Sequence, residues 1–338
     1  MRRLLQSTRA YSLLKTECEE NRRGHAYLLV FDDARNLRLA LGEFAKLFFL
    51  SERERDSARG ERISGLIDEE SFADCLFLPE PGKKFSVEDA ERIREESALK
   101  PVESDTKLFV VGDFAEATVQ AQNKLLKLLE EPPAGVRFLL GATVTFPVLP
   151  TVLSRAEKLE ILPFSPPQVA ECLGRLYPRL KNAELYAEAS GGSVGAAQNM
   201  IEGGYYEALL EEAFGLAETD PFRLPAAARQ AGETKYKREL LSLLRIIFRD
   251  ALVLKAAHIN GVEKSSRDRG LSRTRAEKCL LLRSETARLY AVSDRYPVRS
   301  LLCAQEAISE AEKQLRFNAV FPQCLELCMA KILESARR

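Results

Sequence analysis

The chain has 338 residues, of which 46% are hydrophobic, with 50 basic and 50 acidic side chains. This length favours two or three domains, and the zero formal net charge excludes overall charge as an argument for a nucleic-acid or membrane partner. Seven irregularly spaced cysteines, the lack of a signal peptide and the lack of an apolar run of about 18 residues predict a cytoplasmic protein with reduced thiols and no membrane span.

Predicted helices and strands alternate up to about residue 163, after a mixed-charge helical segment at 1–24. Short apolar runs predict four buried strands, His25–Phe31, Ala73–Leu78, Lys107–Val111 and Arg137–Thr143. Apolar spacing and capping residues predict the helices Asn36–Leu50, Ser86–Ser97 and Thr118–Glu131, whereas Ser51–Gly65 is expected to be a loop or a weak helix. This alternation predicts an α/β domain whose parallel sheet has helices on both faces.

After Pro163–Pro167 the sequence has no strand pattern, and it predicts helices only. These are Gln168–Tyr177, Lys181–Ser190, Ser193–Glu202, Tyr205–Leu216, Pro221–Ala231, Lys235–Ile259, Arg273–Val292, Arg299–Phe317 and Pro322–Arg338. The first three are short and most of the others are longer, so the C-terminal part of the chain is predicted to be all-α.

The turn between the first strand and its helix is the expected place for a phosphate-binding loop, G-x-x-x-x-G-K-[ST]. The chain contains no Gly-Lys-Ser or Gly-Lys-Thr, and at this place Phe31 and Asn36 stand for the glycines, Leu37 for the lysine and Arg38 for the hydroxyl residue. Phe31 blocks close approach of phosphate, and the two carboxylates that follow it would each cost about 1–4 kcal/mol beside a triphosphate. The sequence therefore predicts that this site does not hold ATP.

The helix Ala121–Pro133 carries a leucine stripe and ends at two prolines, and the strand Arg137–Thr143 and Leu153-Ser154-Arg155 follow it. This order resembles the core of AAA+ clamp-loader subunits. The chain is similar to the delta-prime family of subunits of the bacterial DNA polymerase III clamp loader, and more distantly to its gamma/tau subunits. The matching segments are Gly24–Leu28, Phe44–Lys46, Pro79–Glu80, Ser86–Arg94, Thr118–Pro133, Leu149–Arg155, Leu162–Pro166, Leu243–Asp250 and Leu315–Asn318 with Leu325 and Leu327.

The end of the third strand is where nucleotide hydrolases of this class carry an acidic pair. Here Gly112 stands for the aspartate that holds the metal, and Asp113 stands for the glutamate that polarises water. A single Asp113 is better interpreted as a turn or helix-capping residue than as a metal ligand.

The resemblance implies an AAA+ core with a degenerate nucleotide site at 1–163, a small helical lid at 164–206 and a helical collar for oligomerisation at 207–338. It implies gamma/tau and delta subunits as partners, and the sliding clamp and primer-template DNA within the complex. The family's Ser-Arg-Cys motif corresponds to Ser154-Arg155-Ala156, and its arginine acts in trans on the ATP of a neighbouring subunit. Ala156 departs from the motif, and this third position is expected to pack.

The family often carries a four-cysteine zinc module after the first AAA+ helix. Leu50–Phe72 has no cysteine and Cys75 stands alone, so neither zinc nor ATP is expected as a cofactor. Lys124 and Lys127 lie three apart on the leucine-striped helix. They are interpreted either as contacts to DNA phosphates or, as we favour, as a solvated helix face.

The leading hypothesis is a delta-prime-like clamp-loader subunit without catalysis of its own. The alternative is an active gamma/tau-like ATPase, against which Leu37 and Gly112 argue. An unrelated metabolic enzyme is disfavoured because the two histidines, His25 and His258, fall in separate predicted domains and no nucleophile–histidine arrangement is evident.

Overall fold

A computed structural model describes residues 1–262, 274–316 and 319–336, and the chain divides into two units, Met1–Pro163 and Phe164–Arg338. Arg273 of one predicted helix, Phe317 and Asn318 of the C-terminal motif, and 337–338 lie outside the described residues. The further boundary between a lid and a collar at 206/207 stays a prediction.

The first unit is built on a five-stranded sheet in the order β2-β3-β4-β1-β5, and all its pairings are parallel. The strands are β1 Ala26–Phe31, β2 Cys75–Leu78, β3 Lys107–Asp113, β4 Val136–Ala142 and β5 Glu157–Ile161. β1, the strand before the turn where a phosphate-binding loop would be expected, lies between β4 and β5 and is buried along its whole length. The predicted α/β core with a parallel sheet is confirmed.

Seven helices of this unit lie among the described residues and cover the sheet. They are α1 Arg2–Gln6, α2 Arg9–Glu19, α3 Leu37–Phe49, α4 Ala58–Asp68, α5 Val87–Ser97, α6 Val119–Glu130 and α7 Pro150–Leu153. α5 and α6 pack on one another over the core that contains Phe109 and Phe138, while α3 packs on β3 and β4 and is covered by α1, α2 and α4. Ser86 begins α5 with the predicted cap, in a reciprocal pair with Asp89.

The first unit adds to the predictions at two places. Ser51–Gly65, predicted to be a loop or a weak helix, begins as a turn and continues from Ala58 as α4, which buries Ile63 and Ile67. β5 was not predicted at all. Its five residues alternate exposed charges with the buried Leu159 and Ile161, which is the pattern of an edge strand with one solvated face rather than of a buried strand.

The second unit is helical throughout its described part, as predicted. Its helices are α8 Pro166–Leu176, α9 Ala183–Ala189, α10 Val194–Gly203, α11 Tyr206–Ala217, α12 Leu224–Ala231, α13 Lys237–Val262, α14 Thr286–Arg295, α15 Val298–Arg316 and α16 Phe321–Ser335, with a further helical stretch at 274–278. One core connects α9 and α10 with the longer helices. The predicted single helix Arg273–Val292 is wrong, because buried Leu280 and Leu282 interrupt it and Asp250 accepts hydrogen bonds from the backbone of Leu281 and Leu282.

Candidate functional site

The loop between β1 and α3 is a closed turn. The N–H of Asp33 donates to Phe31 O at 2.8 Å, and the N–H of Asn36 donates to Asp33 O at 3.1 Å. The Oδ1 atom of Asp33 also accepts the Asn36 N–H at 3.1 Å, and the Asn36 amide donates to both Asp33 carboxylate oxygens at 3.2 and 3.0 Å. The start of a helix attracts anions, and here a carboxylate of the chain lies at that position. Phe31, Asp33 and Asn36 are all buried.

Leu37, at the position of the phosphate-binding lysine, is buried and turned towards the sheet. A Cβ added to Gly141 of β4 would lie 3.3 Å from Leu37 Cδ1 and 2.7 Å from Leu41 Cδ1. Gly141 therefore lets α3 approach β4 closely through these two leucines. The side chain at position 37 serves packing.

Arg38, at the position of the hydroxyl residue, fastens α3 to two neighbouring segments. Its Nε and Nη2 form a two-point ion pair with the Glu70 carboxylate, and its Nη1 donates to Pro79 O at 2.9 Å. A Cβ added to Gly112 would lie 3.8 Å from Arg38 Nη1. Arg38 and Gly112, the positions at which the sequence predicts the loss of a magnesium site, thus lie close together.

Asp113 joins the ends of β3 and β4. Its Oδ1 accepts the N–H of Ala115 at 3.2 Å and the N–H of Thr143 at 3.1 Å, and its Oδ2 accepts the Thr143 hydroxyl at 2.7 Å. The predicted capping role is therefore confirmed, since Asp113 begins the 3-10 turn Phe114–Glu116. The sequence interpretation missed Thr143, although a hydroxyl residue at the end of a strand was a usable signal.

Arg155 lies near the amino-terminal ends of the parallel strands, opposite the loop that follows β1. It comes before β5, whereas the Phe31–Arg38 loop follows β1, and Ile161 is the partner of Phe31 in the β1–β5 register. The five residues of β5 lie between Arg155 and that level, about 16 Å at about 3.3 Å per residue. Its Nη2 pairs with Glu130 Oε1 at 2.7 Å and its Nη1 donates to Thr151 O at 2.8 Å and Ser154 Oγ at 3.2 Å. The Arg155 side chain is 33% exposed, and Ala156 packs in the core as predicted.

Lys124 and Lys127 are exposed on α6, as the solvated-face interpretation expects. Lys124 Nζ lies 3.1 Å from Glu91 Oε1 on α5, so part of its charge is compensated. The assignment of either lysine to DNA stays a prediction.

Metal ligands are not grouped anywhere within 1–262, 274–316 and 319–336: no set of three or more histidine, cysteine, aspartate or glutamate side chains there could hold an ion. In the same ranges no helix combines the length and the apolar character needed to cross a membrane.

Residues 6–165 match the family model described as "DNA polymerase III, delta subunit". The delta' subunit of DNA polymerase III from Bacillus subtilis is 27% identical over 165 residues, which cover 49% of this chain and 50% of the relative. A gamma/tau subunit from Mycobacterium tuberculosis is 31% identical over 90 residues, 27% of this chain and 16% of the relative. The chain thus spans half, or less, of the length of these relatives.

Among solved structures, a gamma subunit-related protein of Thermotoga maritima aligns over 96% of this chain and 99% of that chain, at 16% identity and a TM-score of 0.38. That score is too low to add to the assignment, which depends on the sequence matches. Residues 6–165, just under half of this chain, thus resemble the delta-prime-like subunits of the DNA polymerase III clamp loader.

Proposed function

We propose that this chain is a delta-prime-like, non-ATPase subunit of the DNA polymerase III clamp loader, which supports ATP-driven loading of the sliding clamp onto primed DNA. The similarity of residues 6–165 to the family model and to the delta' subunit supports the membership. The proposed role is to provide a fixed interface and to supply Arg155 to the ATP of a neighbouring gamma/tau subunit.

The observation that carries this proposal is that Arg155 and the Phe31–Arg38 loop lie at opposite ends of the parallel strands. At one end the Asp33 carboxylate lies at the start of α3, where ATP phosphates would be held, and Arg38 is bonded to Glu70 beside Gly112. At the other end of the strands a partly exposed Arg155 lies beyond the length of β5, about 16 Å. An arginine in that place is too far from its own loop to stabilise charge there, so we assign its action to a second subunit.

The alternative is an active gamma/tau-like ATPase, and the similarity to gamma/tau over 90 residues favours it. Against it stand the buried Leu37, which has no charge to offer phosphate, and the buried Asp33, which would repel it. Leu37 packs against the sheet, and Asp33 is hydrogen-bonded within the loop. A change of side-chain rotamer at either position would therefore not create a phosphate site.

The proposal includes gamma/tau and delta subunits as partners, the clamp and primer-template DNA as the substrates of the complex, and the cytoplasm as its location. It includes neither ATP nor zinc as a cofactor of this chain. Lys127 is the better of the two candidates for a DNA phosphate contact, because Lys124 is already paired with Glu91.

Purification of the affinity-tagged chain from its native cell tests the membership. We expect gamma/tau and delta subunits to be recovered with it in constant ratio through gel filtration. Recovery of the chain without either subunit, under conditions in which gamma/tau and delta bind one another, would contradict the proposal.

A further inference from the structure

Glu130, the last residue of α6, is the side chain that the structure places against Arg155. Its Oε1 atom lies 2.7 Å from Arg155 Nη2, and its side chain is 45% exposed. The backbone at Glu130 is anchored by its neighbour Leu129, which is fully buried in the core of the first unit. The pair therefore joins the end of α6 to a residue two positions after the end of α7.

The backbone of Arg155 is held equally firmly. The N–H groups of Arg155 and Ala156 donate to Val152 O at 3.0 and 3.1 Å, and both Val152 and Ala156 are buried. The guanidinium then folds back on α7, where Nη1 donates to the Thr151 carbonyl. Carbonyls in the last turn of a helix lack partners within the helix and attract cations, so this contact is favourable.

These contacts leave one part of the guanidinium available. An arginine side chain has five N–H donors in a planar fork. Nη2 forms an ion pair with Glu130 Oε1, and Nη1 donates to both Thr151 and Ser154. In the described part of the chain, the Nε–H has no acceptor and Nη2 has no contact other than this ion pair. Two neighbouring nitrogens with free donors are the arrangement that binds two phosphate oxygens at once.

We propose that Glu130 is a positioning residue for Arg155, which holds the guanidinium so that its Nε and Nη2 donors face the phosphates of the neighbouring subunit's ATP. This inference rests on the proposed function of Arg155. By fixing a long, flexible side chain before the subunits meet, Glu130 removes part of the entropy cost of ordering it during hydrolysis. Glu130 contacts neither ATP nor the attacking water in this role and acts only through Arg155.

The test is a double-mutant cycle in the reconstituted complex with gamma/tau and delta subunits, with DNA-stimulated ATP hydrolysis as the measurement. Glu130→Ala is expected to lower kcat roughly three- to tenfold with little change in the KM for ATP, since a positioning contact on the surface is of moderate strength. Glu130→Gln, which keeps an acceptor oxygen, is expected to recover part of the loss. Glu131→Ala, which removes the adjacent exposed charge, is the matched control and should leave the rate unchanged.

The decisive comparison is Glu130→Ala in the Arg155→Ala background, where we expect no further loss. A loss that persists in that background, or a rate that rises on Glu130→Ala because the pair withholds the arginine, overturns the positioning role. Failure of the proposed function gives a different result, since Arg155→Ala alone would then leave the rate unchanged.

Discussion

Replacing Arg155 by alanine should reduce ATP hydrolysis by the assembled complex while the complex still forms. An arginine supplied across an interface contributes on the order of 10³-fold or more to phosphoryl transfer, because it stabilises charge that develops on the transferred group. We expect a loss on the order of 10³-fold at the site that receives Arg155. Single-turnover hydrolysis in the presence of primed DNA measures it, and gel filtration verifies assembly.

Two companion variants make this result specific. Arg155→Lys keeps the charge but loses the planar fork, so it should be impaired nearly as much as the alanine variant. Lys158→Ala removes an exposed cation three residues further along, on β5, whose partner is Glu160 at 2.8 Å. That variant should hydrolyse ATP normally. An unchanged rate for Arg155→Ala in an intact complex would show that the arginine has no role in trans.

Replacing Asp74 by alanine should destabilise the first unit by about 3–5 kcal/mol, because it leaves several backbone donors without an acceptor. Asp74 is fully buried before β2. Its carboxylate accepts the N–H groups of Val102, Glu103 and Ser104 at 2.6, 2.8 and 2.8 Å, and the Ser104 hydroxyl at 2.9 Å. Urea unfolding followed by circular dichroism gives the free energy of unfolding.

The contribution of Asp74 to the stability of the fold should decrease as the pH falls. Burial acts to raise its pKa, but the hydrogen bonds from Val102, Glu103 and Ser104 outweigh burial and hold the pKa below its ordinary value. A lowered pKa in the folded state means that stability is present in full above the unfolded-state pKa, about 3.9, and is lost as the pH falls through the folded-state pKa.

The difference in free energy of unfolding between the native protein and Asp74→Ala should therefore shrink as the pH is lowered from neutrality to below 4. Asp105→Ala, at a nearby exposed carboxylate, is the control and should cost less than about 1 kcal/mol at any pH. A difference for Asp74→Ala that grows as the pH falls would refute this account of the charge.

The parts of the fold that sequence patterns predicted are those that local chemistry determines. Ser86 and its acidic first turn predict the start of α5, and Pro132 predicts the end of α6, because capping and proline act within a few residues. The edge strand β5 was missed because its alternating charges resemble a solvated loop. The break before α14 was missed because the cause is Asp250, about thirty residues earlier in the chain.

In the candidate site, too, residue types could be predicted from the sequence, whereas their long-range partners could not. The residue types at Phe31, Leu37 and Gly112 are visible in the sequence, so their departure from a phosphate-binding motif could be predicted, and the loss of ATP binding stays a prediction. The new partners could not, since Arg38 binds Glu70 and Pro79, which are 32 and 41 residues away. The same holds for Glu130, whose pairing with Arg155 depends on where α6 ends relative to β5.

Buried charge shows a further limit of helical periodicity. In α3 the apolar positions were predicted to form the packed face, yet Glu43 and Lys46 are buried as well. Lys46 Nζ lies 2.6 Å from Glu43 Oε1 and 2.7 Å from Asp68 Oδ1 on the residue that ends α4. Charges become compatible with burial only when such partners converge, which a pattern within one helix does not reveal.

We propose above all that this chain takes part in ATP-driven clamp loading without binding ATP itself. The direct measurement is a titration of the isolated chain with a fluorescent, non-hydrolysable ATP analogue in the presence of magnesium, with the gamma/tau subunit as the positive control. The account predicts no saturable binding to this chain up to about 1 mM, a concentration at which even a standard free energy of about −4 kcal/mol would be detected. Saturable binding in the micromolar range, competed by unlabelled ATP, would contradict it.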